Sequence, residues 1–176
     1  MKRAVVFSFL LGMAAVMGSV QMRAADDQLV GPLRTQWEGT RKLVVGMAEA
    51  IPEAKYDYKP TPEVRSFREQ LVHLVGENHM FMGMVAGDKP MDRKVLDGLK
   101  TREDILKALG DSYDNGTKVL AGLTDEKALE SVPAFGGKQT PRWAIVMANI
   151  VDNMDHYGNL VVYVRLNGIT PPRSAK

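Results

Sequence analysis

Two acid–imidazole couples stand out in the chain. Asp152 precedes His156 by four residues, and His73 precedes Glu77 by four. On a helix that spacing puts both side chains of a couple on one edge, with about 5–6 Å between Cβ atoms. An acid and an imidazole so placed can hold one divalent ion between them. They also serve a plainer purpose, in which Asp152 orients a core histidine through a ring N–H and His73 pairs with Glu77 at a half-exposed position. The chain has no cysteine, so thiolate sites, iron–sulfur clusters, disulfides and cysteine nucleophiles are excluded. Any metal here must be held by nitrogen and oxygen.

The element carrying the first couple is the segment from Thr140 to Asn167, which reads as one long helix starting with Thr140 as N-cap and Pro141 at the first helical position. Ile145, Asn149, Asp152, His156, Leu160 and Tyr163 share one arc, so polar groups stand where apolar ones are expected. A second arc of Met147, Ile150, Met154, Tyr157, Val161 and Val164 is apolar throughout. It predicts either burial by neighbouring helices or a seam between two copies of the chain. From Trp143 to Val164 the only charges are Asp152 and Asp155. A helix so apolar is mostly buried, and a buried carboxylate needs a partner.

The second couple lies on a helix opened by Ser66-Phe67-Arg68-Glu69, a capping box. Phe67, Leu71, Leu74, Asn78, Phe81 and Val85 form its apolar arc, and His73, Glu77, Met80 and Met84 form a stripe on the flank of that arc. His79 lies on another face, where a surface or dimer-seam role is expected. Leu29, Leu33, Trp37, Val44 and Ala48 predict a first helix closed by Pro52. Pro52 to Pro62 is a linker packed by Tyr56 and Tyr58. Lys89 to Lys100 is a polar crossover, after which Thr101 and Asp104 cap a third helix with Ile105, Leu109, Tyr113, Gly116 and Leu120 on one face. A helical turn within 125–132 and a loop at Pro133 to Lys138 lead to the fourth helix. The prediction is an all-α four-helix bundle with a long crossover between helices two and three.

Met1-Lys2-Arg3, an apolar run to Met17 and small residues after it have the form of a secretory signal peptide, assigned to residues 1–25, with one domain over 26–176. The chain is therefore expected to be exported, to the periplasm or the extracellular space, and free of the membrane after cleavage. Three of the 23 Lys and Arg residues (Lys2, Arg3, Arg23) fall in that leader and none of the 21 acids does, so residues 26–176 carry 20 against 21 charges, net −1. No basic run remains there, which argues against a nucleic-acid partner.

Four helices in this order, His73-Leu74 within Ser66 to Phe81, and His156-Tyr157-Gly158-Asn159 within Asp152 to Pro172 resemble the DinB/YfiT-like superfamily. That resemblance implies a four-helix bundle, often dimeric, with a divalent ion held between helices two and four by three histidines. Some members are thiol-dependent transferases or isomerases, some are hydrolases, and most have no assigned reaction. His73 matches the helix-two histidine and His156 the last histidine of helix four. Asp152 stands where the family usually has another histidine. The implied site is His73, Asp152 and His156, two histidines and one carboxylate, a set that leaves coordination positions open and suits Zn, Fe, Mn or Ni. Alternatively, Asp152 abolishes binding and leaves a relic. Glu77 and Asn149 are expected to orient the imidazoles. The functions in view are a metal-dependent hydrolase or thiol-dependent transferase acting on an unknown small molecule, a non-catalytic metal- or ligand-binding module, and a structural homodimer.

Overall fold

The structure, a computed structural model, describes residues 27–89 and 91–174. The proposed signal peptide, residues 1–25, lies outside them. Four long helices make the bundle: α1 (Val30–Ala50), α2 (Phe67–Ala86), α4 (Arg102–Ala121) and α6 (Arg142–Leu166). Two short helices, α3 (Arg93–Asp97) and α5 (Asp125–Leu129), and a hairpin of β1 (Ser131–Pro133) and β2 (Gln139–Pro141) lie in the connections. No helix among the described residues is long and apolar enough to cross a membrane.

The predicted signals act where they stand. Ser66 Oγ accepts from the Glu69 N–H at 3.1 Å while the Glu69 carboxylate accepts from the Ser66 N–H at 2.6 Å, so α2 starts at Phe67. Thr101 and Asp104 do the same for α4. Gly168 takes φ +75° after Asn167, and the Ile169 N–H returns to the Val164 carbonyl at 3.0 Å, closing α6 in the left-handed turn that glycine permits. Tyr56 is fully buried in the linker, its hydroxyl donating to the Ala48 carbonyl at 2.9 Å.

The start of α6 differs from expectation. Thr140 and Pro141 do not open the helix; they pair with Val132 and Ser131 in the hairpin, and the helix begins at Arg142. Gly136 and Gly137, both at positive φ, make the tight reversal that brings β1 and β2 together, and this ladder claims the residues read as a cap. The turn expected within 125–132 is α5, with Val132 already in the strand.

Each of α1 and α2 packs against both α4 and α6. The start of α2 meets the end of α6, where Phe67 stacks near Tyr163, and Arg142 at the start of α6 donates to the Val85 carbonyl at the end of α2. These helices are antiparallel. In contrast, Arg68 near the start of α2 donates to the Lys100 carbonyl before α4, and Asn78 donates to Ser112, so α2 and α4 run the same way. Two parallel neighbours joined in sequence need a connection that returns along the bundle. The 20 residues of α2 span about 30 Å at 1.5 Å per residue, which residues 87–101 cover. On its way back the crossover lies against α2: a Cβ on Gly76 would stand 2.9 Å from Leu96 Cδ1.

The core contains Trp37, Leu71, Leu74, Leu109, Val146 and Leu160, all buried. It also contains a polar layer. Asn153 donates to Asn78 Oδ1 at 2.9 Å and to Asn149 Oδ1 at 2.7 Å, Tyr113 donates to Asn153 Oδ1 at 2.5 Å, and Asn78 donates to Ser112 Oγ at 3.1 Å. Such a layer gives partners to the amides that interrupt the apolar arcs of α2 and α6, with Asn149 Nδ2 left over. Within the second arc of α6, Ile150, Tyr157 and Val164 are buried in this core, whereas Met147 is exposed.

Candidate metal centre

His73 and Glu77 project from successive turns of α2, and His156 projects from α6 opposite them. One ligand atom from each of the three lies within 4.8 Å of the others. His73 Nε2 is 2.8 Å from Glu77 Oε1, His156 Nε2 is 3.3 Å from Glu77 Oε2, and the two imidazole rings meet edge to face with centroids 5.0 Å apart. The antiparallel packing of α2 on α6 produces this meeting, because the flank stripe of α2 faces the polar arc of α6. His156 is buried, and His73 and Glu77 are half-buried.

Gln70 completes the support. Its side-chain Oε1 lies 2.8 Å from His156 Nδ1. An amide oxygen only accepts, so Nδ1 carries the proton, and in the neutral ring the Nε2 lone pair is left facing Glu77 and His73. Gln70 stands three residues before His73 and seven before Glu77, on the same stripe, which is the signal by which the sequence reveals it.

Asp152 is not a member of the converging trio. It lies beside Glu77, one turn before His156, with its Oδ2 buried and without a hydrogen-bond partner. Glu77, with one methylene more, reaches between the helices and touches both imidazoles. Two histidines and one carboxylate therefore do converge, with Glu77 as the carboxylate. Asn149 does not touch an imidazole; its Oδ1 accepts from Asn153, and its Nδ2 is buried without a partner. His79 is half-buried away from the cluster.

The electrostatics follow from this crowding. Burial is the largest influence on Glu77 and pushes its carboxyl up, but His156, Asp152 and His73 outweigh it and hold the group below its usual range. The carboxylate of Glu77 raises His156 against the effect of burial. Burial dominates at His73 and lowers it despite Glu77. Asp152 is pushed up to about 6 by burial and then by the neighbouring Glu77. Glu77 Oε2 is itself fully buried and makes no aligned hydrogen bond.

A cleft of about 720 Å³ opens beside the trio. His73 and Glu77 form part of its wall on α2, and the returning crossover forms the opposite wall through residues such as Leu96 and Leu99. The arrangement is thus a two-histidine, one-carboxylate cluster, able to hold a divalent ion, with a solvent-connected space on one side.

Comparison with known proteins identifies the family. Residues 36–159 match the DinB superfamily. An uncharacterized protein, YjoA of Bacillus subtilis (strain 168), is 30% identical over 136 residues, 74% of this chain and 85% of its own length. The crystal structure of a DinB-like protein, YjoA, from Bacillus subtilis superposes with a TM-score of 0.64 at 23% identity, covering 78% of this chain and 92% of that one. A DinB-like protein from Bacillus cereus ATCC 10987 gives a TM-score of 0.70 at 15% identity, covering 80% and 93% of the two chains.

Proposed function

The chain belongs to the DinB superfamily, and from that premise we propose that it binds one divalent transition metal through His73, Glu77 and His156 and uses it in a hydrolytic or thiol-dependent transfer reaction on a small molecule. The observation that carries the reading is the convergence of three N and O donors from two helices, with the buried Glu77 Oε2 lying 3.3 Å from His156 Nε2 and making no aligned hydrogen bond. A buried, unpartnered carboxylate oxygen costs free energy unless a cation or proton meets it. The donor set fits Zn, Fe, Mn or Ni. An ion held there by His73, Glu77 and His156 would supply Lewis acidity toward an oxygen or sulfur donor of the reactant.

The chain's own residues prepare the place. Gln70 fixes the tautomer of His156, α2 holds His73 and Glu77 in register, and the cleft admits a reactant to the side that faces solvent. That opening favours a reactive centre over a closed structural one. The proposal includes export, supported by the leader-like residues at the start of the sequence, and cell fractionation of the full chain checks it. It also includes pairing of two copies along α6, supported by Met147, Val151, Val162 and Leu166, all exposed on that helix.

Titration of zinc into metal-stripped, untagged protein tests the centre. One ion per chain is expected, with affinity falling at least 100-fold in His156→Ala and in His73→Ala. Absence of stoichiometric binding, or binding undiminished in both variants, refutes the reading. Ligation needs neutral imidazole, and His156, raised by Glu77, takes up a proton before His73 as the pH falls, so affinity should decline with falling pH, starting with His156.

A further inference from the structure

The cleft beside the trio has a charge pattern that the metal centre does not explain. Arg68 in its wall is paired with Asp57 at 2.7 Å, and Glu69 with Lys59 at 2.9 Å. Arg65, Arg93 and Lys100 also line it, and among the described residues no carboxylate lies within 4 Å of any of them. Asp97, also in the lining, is the acid there without an ion-pair partner among the described residues. The same cleft has apolar lining, from Val72 on α2 and from Leu96 and Leu99 on the crossover.

Arg65 is the best placed of the three. The Tyr163 hydroxyl donates to its carbonyl, and Tyr163 stands seven residues after His156, on the same face of α6. The backbone that carries the guanidinium is therefore fixed to the helix that carries the buried imidazole. A free guanidinium at the mouth of an amphipathic cleft is suited to a planar anion, which it can grip with two parallel N–H groups.

Building on the metal reading above, we infer that the cleft takes a small organic carboxylate, its anionic group held by Arg65 and its apolar body lying on Val72, Leu96 and Leu99 next to the metal centre. A volume of about 720 Å³ accommodates a molecule of that class.

Hexanoate and its uncharged counterpart hexanamide are the probes, titrated calorimetrically into the full chain in zinc-loaded and EDTA-stripped forms. Zinc-loaded protein should bind hexanoate roughly tenfold or more tightly than hexanamide, as a charge-assisted pair implies. That preference should weaken with added salt. Arg65→Gln should abolish it without weakening zinc binding, and Arg65→Lys should restore part of it. Equal binding of the two probes overturns the inference, and so does a preference for hexanoate that survives Arg65→Gln. The two readings fail separately. Protein that takes up no zinc yet keeps an Arg65-dependent preference supports the carboxylate subsite and removes the metal centre. Intact zinc binding without that preference removes the subsite alone.

Discussion

At the scale of single residues, Gln70 decides which nitrogen of His156 is available to a cation. With Nδ1–H committed to Gln70 Oε1 at 2.8 Å, the imidazole presents Nε2 to the trio. Partners of this kind typically contribute 10–100-fold in metal affinity. Gln70→Leu should therefore weaken zinc binding by roughly tenfold with the helical content unchanged, and long-range proton–nitrogen spectra of the metal-free protein should show His156 losing its single tautomer. An unaltered tautomer in that variant would mean that the ring is oriented by something else. Tyr56 gives a second prediction. Burial pushes its hydroxyl up to about 12 from an ordinary 10.0. A folded pKa above the unfolded one makes the neutral form part of the stability, complete below pH 10 and lost as pH climbs toward 12. Tyr113, buried and hydrogen-bonded to Asn153, is shifted in the same direction. Denaturant melts between pH 9 and 12 should fall more gently in Tyr56→Phe than in the parent chain; parallel curves would contradict the assignment.

Among the elements, the contact of α1 with α4 turns on one glycine. A Cβ at Gly116 would come within 2.2 Å of Trp37 Cζ2, and Trp37 is fully buried, donating through Nε1 to the Tyr113 carbonyl at 3.2 Å. Alanine is the better helix former by about 1 kcal/mol, but overpacking of a filled core costs about 1–3 kcal/mol and sometimes more. Because the ring cannot move away without breaking its hydrogen bond, Gly116→Ala should destabilise the bundle by about 2 kcal/mol, read as a lower denaturant midpoint. A stabilised variant would show that Trp37 has room to shift. The same scale explains what was legible in the sequence. Caps at Ser66 and Thr101 fixed the starts of α2 and α4, because their signal is local and needs no tertiary contact. Thr140-Pro141 carried an equally good local signal, but the hairpin claimed both residues. Pairing of Val132 with Thr140 depends on the Gly136-Gly137 reversal, whose direction is invisible in a stretch that simply reads as loop.

For the whole molecule, the candidate centre was half legible. His73 and His156 could be named from spacing and family likeness, since each sits at a fixed place on its own helix. Glu77 could not be distinguished from an ordinary partner of His73, because its second contact, to His156, exists only once α6 lies antiparallel on α2. The sequence points to Asp152 as the ligating carboxylate, yet it falls beside the trio and not within it. Assembly belongs to this scale too. If α6 pairs between copies, sedimentation at micromolar concentration should give a dimer that Val151→Glu converts to monomer, whereas a monomeric parent chain would leave that stripe without a partner. The most direct test of the account compares zinc affinity, by chelator competition at one pH, in the parent chain, Glu77→Gln and Asp152→Asn. The account predicts a loss of at least 100-fold for Glu77→Gln and a much smaller one for Asp152→Asn. The reverse order would contradict it.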